Sequence, residues 1–215
     1  IFADIIENRK QVESILEEGI PCMVINNIVE DLEVNYVAID NRLGGHIATD
    51  YLMSLGHKKI ATLTGNLHTQ GAAHRFEGYR KTLEDNRFPI LEEYIFKGDY
   101  SRQSAREAAL KLLQLKDPPT AVFAASDDMA LEVMAVMLEK GLKIPDDLSI
   151  VGFDDNPSAS YRPVALTTVR QPLFEMAESA VKTLNAIVAG KKSPPVQEVL
   201  PPKLVIRESC ASCNK

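Results

Sequence analysis

Ala121-Val122-Phe123-Ala124-Ala125-Ser126-Asp127-Asp128-Met129-Ala130-Leu131 decides the fold of this chain. A short apolar run stops at Ser126 and Asp127, whose side-chain oxygens can cap a helix, and apolar residues then recur at Ala130, Val133, Met134, Met137 and Leu138 with helical spacing. Gly141 closes that helix, and a second strand-like run, Leu148–Phe153, follows. Strand, helix and strand in this order mean parallel strands joined by helical crossovers.

The unit recurs outward in both directions. Upstream, a helix carries Val12, Ile15 and Leu16 and stops at Gly19, before strands at Cys22–Ile25 and Tyr36–Ile39. Ile47, Ala48, Tyr51, Leu52 and Leu55 share one helical face, Ile60–Thr64 reads as a strand, and Phe76, Tyr79 and Leu83 mark another helix. Ser101 can cap a helix that breaks at Asp117-Pro118-Pro119. Downstream, Pro172 suits a helix start, the stripe from Met176 to Ile187 runs to Gly190, and Pro194-Pro195 and Pro201-Pro202 bracket late extended segments. The amino-terminal Ile1–Ile6 reads as the middle of a strand.

The 215 residues, 45% of them hydrophobic, suffice for one sizeable core or two smaller ones. A net charge of −6 leaves little electrostatic drive toward a phosphate backbone, so this segment is not expected to grip DNA itself. The apolar runs are far shorter than the ~20 residues of a membrane span, and no secretory signal pattern opens the chain. Three cysteines, an odd number, argue against a disulfide framework and for a reducing cytoplasm. Cys210 and Cys213 form a C-x-x-C in a terminal stretch read as a solvated tail, with no second Cys/His pair to complete a metal site.

Ligands of open parallel sheets bind beyond the carboxyl ends of the strands. Asn26, Asp40, Ser126-Asp127 and Asp154 stand there, each equally able to cap a helix or form a turn. Arg75 lies early in the helix after Gly65 and offers a fork of donors for two ligand oxygens, or for a surface salt bridge. Tyr100 could cover an apolar ligand face. An arginine facing carboxylates and amides suits a polyhydroxylated ligand, whose hydroxyls both donate and accept. The sequence holds no nucleophile elbow, Walker loop, H-E-x-x-H or G-x-G-x-x-G, so neither enzyme, metal nor cofactor is expected.

Asp40-Asn41-Arg42-Leu43-Gly44-Gly45, Leu55-Gly56-His57-Lys58-Lys59-Ile60, Arg75-Phe76-Glu77-Gly78-Tyr79, Ser126–Leu131, Ile144–Asp155, Pro163–Pro172 and Leu204–Ser209 together resemble the LacI/GalR regulator family over nearly the whole chain. The resemblance implies an α/β, periplasmic-binding-protein-like (type I) fold: two doubly wound parallel-sheet lobes, three crossings, and a small sugar-like effector in the cleft. It implies residues 1–41 and 169–194 for the first lobe, 42–168 and 195–209 for the second, and 210–215 as a tail. Two crossings would lie at Asp40–Gly44 and Thr168–Gln171, the third near Pro194–Gln197.

Asn26, Arg75, Ser126 and Asp154 match cleft positions of the family, and Tyr100 and Asp127 complete the candidate effector contacts. Ser126 stands where the family usually has Asn. The family pattern also places a DNA-reading headpiece and two βα units ahead of Ile1, so the first lobe is expected to be incomplete in this chain and DNA to be reached only through that headpiece. A homodimer is implied. The alternative is an extracytoplasmic sugar-binding protein of a transporter, against which Ile144–Asp155 and Pro163–Pro172 argue.

Overall fold

A computed structural model describes residues 1, 9–28 and 32–213. The strand expected over Ile1–Ile6 lies outside the described residues, Ile1 excepted. The chain divides into two units, Ile1–Asp40 with Pro172–Pro201 and Asn41–Gln171 with Pro202–Lys215.

In the first unit, α1 (Arg9–Glu17) leads to β1 (Met23–Ile25) and β2 (Asn35–Ile39), and the late segment adds α6 (Leu173–Val188) and β8 (Gln197–Leu200). The sheet is parallel, in the order β1-β2-β8. Gly19 ends the α1 turn with φ +69°, a conformation open to glycine because it lacks Cβ. Val12, Cys22, Val24 and Val34 form a small buried core. Buried Asn35 ties the sheet on both sides: its Nδ2 donates to the Cys22 carbonyl at 2.8 Å, and its Oδ1 accepts from Val196 N at 2.8 Å.

The second unit runs α2 (Asn41–Ser54), β3 (Ile60–Thr64), α3 (Gln70–Asp85), β4 (Ile95–Lys97), α4 (Arg102–Leu112), β5 (Ala121–Ala124), α5 (Asp127–Glu139), β6 (Ser149–Asp154), β7 (Thr167–Arg170) and, after the first unit's insertion, β9 (Lys203–Val205). The order is β4-β3-β5-β6-β7-β9, with only the β7–β9 pair antiparallel among the described strands. Side chains alternate across a strand. Ala61, Leu63, Val122, Ala124 and Ile150 therefore face one way, packing with Ala105, Ala109 and Leu112 of α4 and Val133, Met134 and Met137 of α5. Each fully buried large apolar side chain in such a core contributes about 1.5–3 kcal/mol.

The opposite face carries α2 and α3, where Tyr79 Oη donates to the Ile60 carbonyl at 2.8 Å. The two helices cross in backbone contact. A Cβ at Gly45 would overlap the Arg75 carbonyl oxygen, and one at Gly78 would overlap that of Arg42. Glycine at these two positions is what sets the height of Arg75 above the sheet.

All three unit boundaries differ from expectation, the first by one residue, at Asp40/Asn41. β7 belongs to the second sheet and β8 to the first, so the chain changes unit at Gln171/Pro172 and at Pro201/Pro202 rather than near Pro194–Gln197. The register of β8 against β2 fixes this, and Asn35 holds Val196 in place. The terminal residues are not a solvated tail as far as Cys213. Cys213 N donates to the Leu55 carbonyl at 2.7 Å, and Ala211 N to Ser149 Oγ at 3.1 Å.

His57 supports the same segment. Its Nε2 lies 3.1 Å from the Ala211 carbonyl and its Nδ1 2.9 Å from Thr120 Oγ1. Burial lowers its pKa, so the neutral ring donates from Nε2 and accepts at Nδ1. Cys210 Sγ donates to the Ile150 carbonyl at 3.2 Å, and burial pushes the thiol up to about 11, which leaves little of the nucleophilic thiolate.

Candidate functional site

In the second unit the carboxyl ends of β3, β5, β6 and β7 and the early turns of α3 and α5 carry a compact polar cluster. Its centre is Arg75, only 6% exposed. Nε donates to Asn41 Oδ1 at 2.8 Å, Nη1 donates to the Ala125 carbonyl at 2.6 Å, and the guanidinium carbon lies 3.6 Å from the Phe153 ring centroid. Asp154 Oδ1 stands 3.7 Å from Nη1, at ion-pair distance. Burial pulls the guanidinium pKa below its usual value and Asp154 opposes that pull. A side chain with five N–H donors still carries its charge here, and the two hydrogen bonds leave three N–H groups without a hydrogen-bond partner among the described residues.

Asp154 ends β6 with φ +120°, a strained conformation for a residue with a Cβ. Gln171 Nε2 donates to its Oδ1 at 2.6 Å, while burial raises its pKa against the opposing influence of Arg75 and Gln171. Asp155, also at positive φ, is held by Arg170 Nε and Arg207 Nη2, each at 2.5 Å, so the turn after β6 is clamped on its outer side. The oxygens of Gln171 (Oε1) and Thr64 (Oγ1) are buried without a partner among the described residues. A buried acceptor left unmatched costs about 1–3 kcal/mol.

The six expected contacts fall into different places. Arg75 and Asp154 meet directly. Tyr100, at φ +72°, lays its ring against Gly65, where a Cβ would overlap it. Ser126 caps α5, its Oγ accepting from Met129 N at 3.3 Å. Asn26 belongs to the first unit, just past β1, with φ +66°.

Asp127 departs from expectation. It is wholly buried, and its two oxygens accept from Thr168 Oγ1 at 2.5 Å and Asn156 N at 2.7 Å. It braces α5 against β7 and the loop after β6 instead of lining an accessible surface. Burial pushes its pKa up to about 7 despite those two hydrogen bonds. Sequence reasoning missed Asn41, Phe153 and Gln171 as members of the cluster; Asn41 and Gln171 stand beside the unit boundaries, which was the available signal. Among the described residues no group of three or more His, Cys, Asp or Glu is placed to hold a metal ion.

Residues 49–210 match the periplasmic binding protein-like domain family. The chain superposes with a TM-score of 0.90 on a regulatory protein of the LacI family from Chloroflexus aggregans, at 33% identity over 97% of this chain and 75% of that one. It belongs to the LacI/GalR family. Within that family it is 38% identical to the HTH-type transcriptional regulator DegA of Bacillus subtilis (strain 168), over 100% of this chain and 64% of DegA. It also matches the structure of the transcriptional regulator CelR in complex with cellobiose, with a TM-score of 0.89 and 31% identity over 97% of this chain and 64% of that one. Measured against its first curated matches, this LacI/GalR chain spans 51–64% of a relative's length.

Proposed function

We propose that this chain is the effector-sensing part of a transcription regulator, and that the Arg75 cluster of its second unit binds a small polyhydroxylated effector, a sugar or sugar derivative. The observation that carries this reading is the pair of buried Arg75 and partly exposed Asp154, with guanidinium donors and the oxygens of Gln171 and Thr64 unpartnered among the described residues. A cation, a carboxylate and neutral acceptors held together can each engage a hydroxyl, and Tyr100 and Ser126 would complete the contacts. The cellobiose bound to CelR supports the ligand class.

In this reading the effector shifts the equilibrium between conformations of different DNA affinity. DNA is engaged through a separate headpiece, the regulator works in the cytoplasm, and two copies of the protein act together. The chain needs no catalytic group for that role.

A thermal-shift panel of cellobiose, ribose and other sugars and sugar phosphates on the full-length protein tests the reading, since a ligand that binds the folded state raises its melting temperature. One or more sugars should stabilise the wild type and lose that effect in Asp154→Asn. Stabilisation by none, or by a sugar that Asp154→Asn binds equally well, would refute it.

A further inference from the structure

A second recess lies at the other end of the same sheet. Ile60 at the start of β3, Tyr94 just before β4 and Leu83 near the end of α3, all buried, line a cavity of about 380 Å³ together with Phe88, Pro89 and Leu91. Counted at roughly 30 Å³ per water, that volume has room for an apolar body of up to about a dozen non-hydrogen atoms.

Lys58, Lys59 and Arg87 line the same cavity. Lys59 pairs with Asp117, whereas Lys58 and Arg87 make no ion pair among the described residues. An apolar hollow flanked by two uncommitted cations is complementary to an anion with a hydrophobic body.

Arg87 occupies an unusual backbone position. It follows the C-cap Asn86 of α3 at φ +61°, with Arg87 N bonded to the Glu84 carbonyl and Phe88 N to the Leu83 carbonyl, each at 2.9 Å. This helix-ending geometry favours glycine, because a Cβ is strained there. The chain instead places an arginine, at a conformational cost, beside the cavity. Strain kept at a residue whose side chain has no ion-pair or hydrogen-bond partner among the described residues points to an external one.

We propose that this recess binds a small monocarboxylate with an apolar body, such as a medium-chain or arylalkyl acid, its carboxylate held by Arg87 and Lys58 and its tail on Ile60, Leu83 and Tyr94. Twelve residues along the chain, on the order of 18 Å at helical rise, separate Arg87 from Arg75. The site is thus distinct from the polar cluster and does not rest on the function proposed for it.

Octanoate, with 1-octanol as its uncharged counterpart, is the probe. In amide NMR titrations of the full-length protein, octanoate should saturate one site, shifting the Ile60, Leu83 and Tyr94 signals, and 1-octanol should bind at least about ten-fold more weakly. Arg87→Gly suits the backbone, so it should fold with an unchanged or higher melting temperature yet lower octanoate affinity about ten-fold. Lys58→Gln should weaken binding in the same direction. Absence of saturable octanoate binding, equal affinity for 1-octanol, or unchanged affinity in Arg87→Gly would overturn the proposal.

Discussion

Arg75 Nε donates to Asn41 Oδ1 at 2.8 Å, tying the most buried cation of the polar cluster to the residue at which the chain enters the second unit. The bond is buried and shielded from water, so solvent does not readily replace the acceptor that Arg75 Nε loses if the amide is removed. Asn41→Ala should therefore destabilise the protein by about 1–3 kcal/mol, read by urea denaturation. A loss below a few tenths would mean that Arg75 finds another partner.

Gly45 determines how closely α3 approaches α2, because the Arg75 carbonyl occupies the space a Cβ would need. Gly45→Ala should push the helices apart at a cost of about 1–3 kcal/mol and carry Arg75 with them. Its signature is a lower melting temperature together with weaker effector binding. Weaker stability with intact binding would show that the position of Arg75 does not depend on this crossing.

Asp127 makes stability depend on pH. Its folded-state pKa near 7 lies above the ordinary value of about 3.9 in an unfolded chain, so the folded form holds a proton that the unfolded form has released. Stability from this group is greatest at the acid side, falls as pH rises from about 4 to about 7, and then levels off. The upper bound on that fall is about 4 kcal/mol. Urea denaturation at pH 5 and pH 8 should show a larger decline for the wild type than for Asp127→Asn, and parallel profiles would contradict the assignment.

Tyr100 separates backbone strain from ligand contact. Asn tolerates the left-handed conformation that Tyr100 adopts, so Tyr100→Asn should leave stability within about 1 kcal/mol of wild type while removing the ring from Gly65. Effector affinity measured by calorimetry should fall roughly ten-fold if the ring covers the ligand. Unchanged affinity would assign Tyr100 a purely packing role.

Much of this was legible in the sequence because period and capping reinforce each other. Ile60–Thr64 forms the strand its β-branched run predicts, and Ser101 and Ser126 cap the helices they precede. β4 was not legible: three residues at a sheet edge, preceded by a short 3-10 turn, carry no period. Pro194-Pro195 and Pro201-Pro202 look alike as chain breakers, and only the pairing of β8 with β2 distinguishes them. Phe153 reads as a core strand residue, and nothing in its identity reveals the guanidinium on its face. The terminal Ala211–Cys213 segment is held by hydrogen bonds of its backbone, which side-chain composition does not encode.

The central claim is that Arg75 and Asp154 act together on one ligand. Calorimetric titration of the best sugar from the thermal panel into wild type and Arg75→Ala addresses it directly. Removing the arginine should cost about 2–5 kcal/mol, roughly 30- to 3000-fold in Kd, because Asp154, largely withdrawn from water, loses its cation. Equal Kd values for the two proteins would contradict the claim.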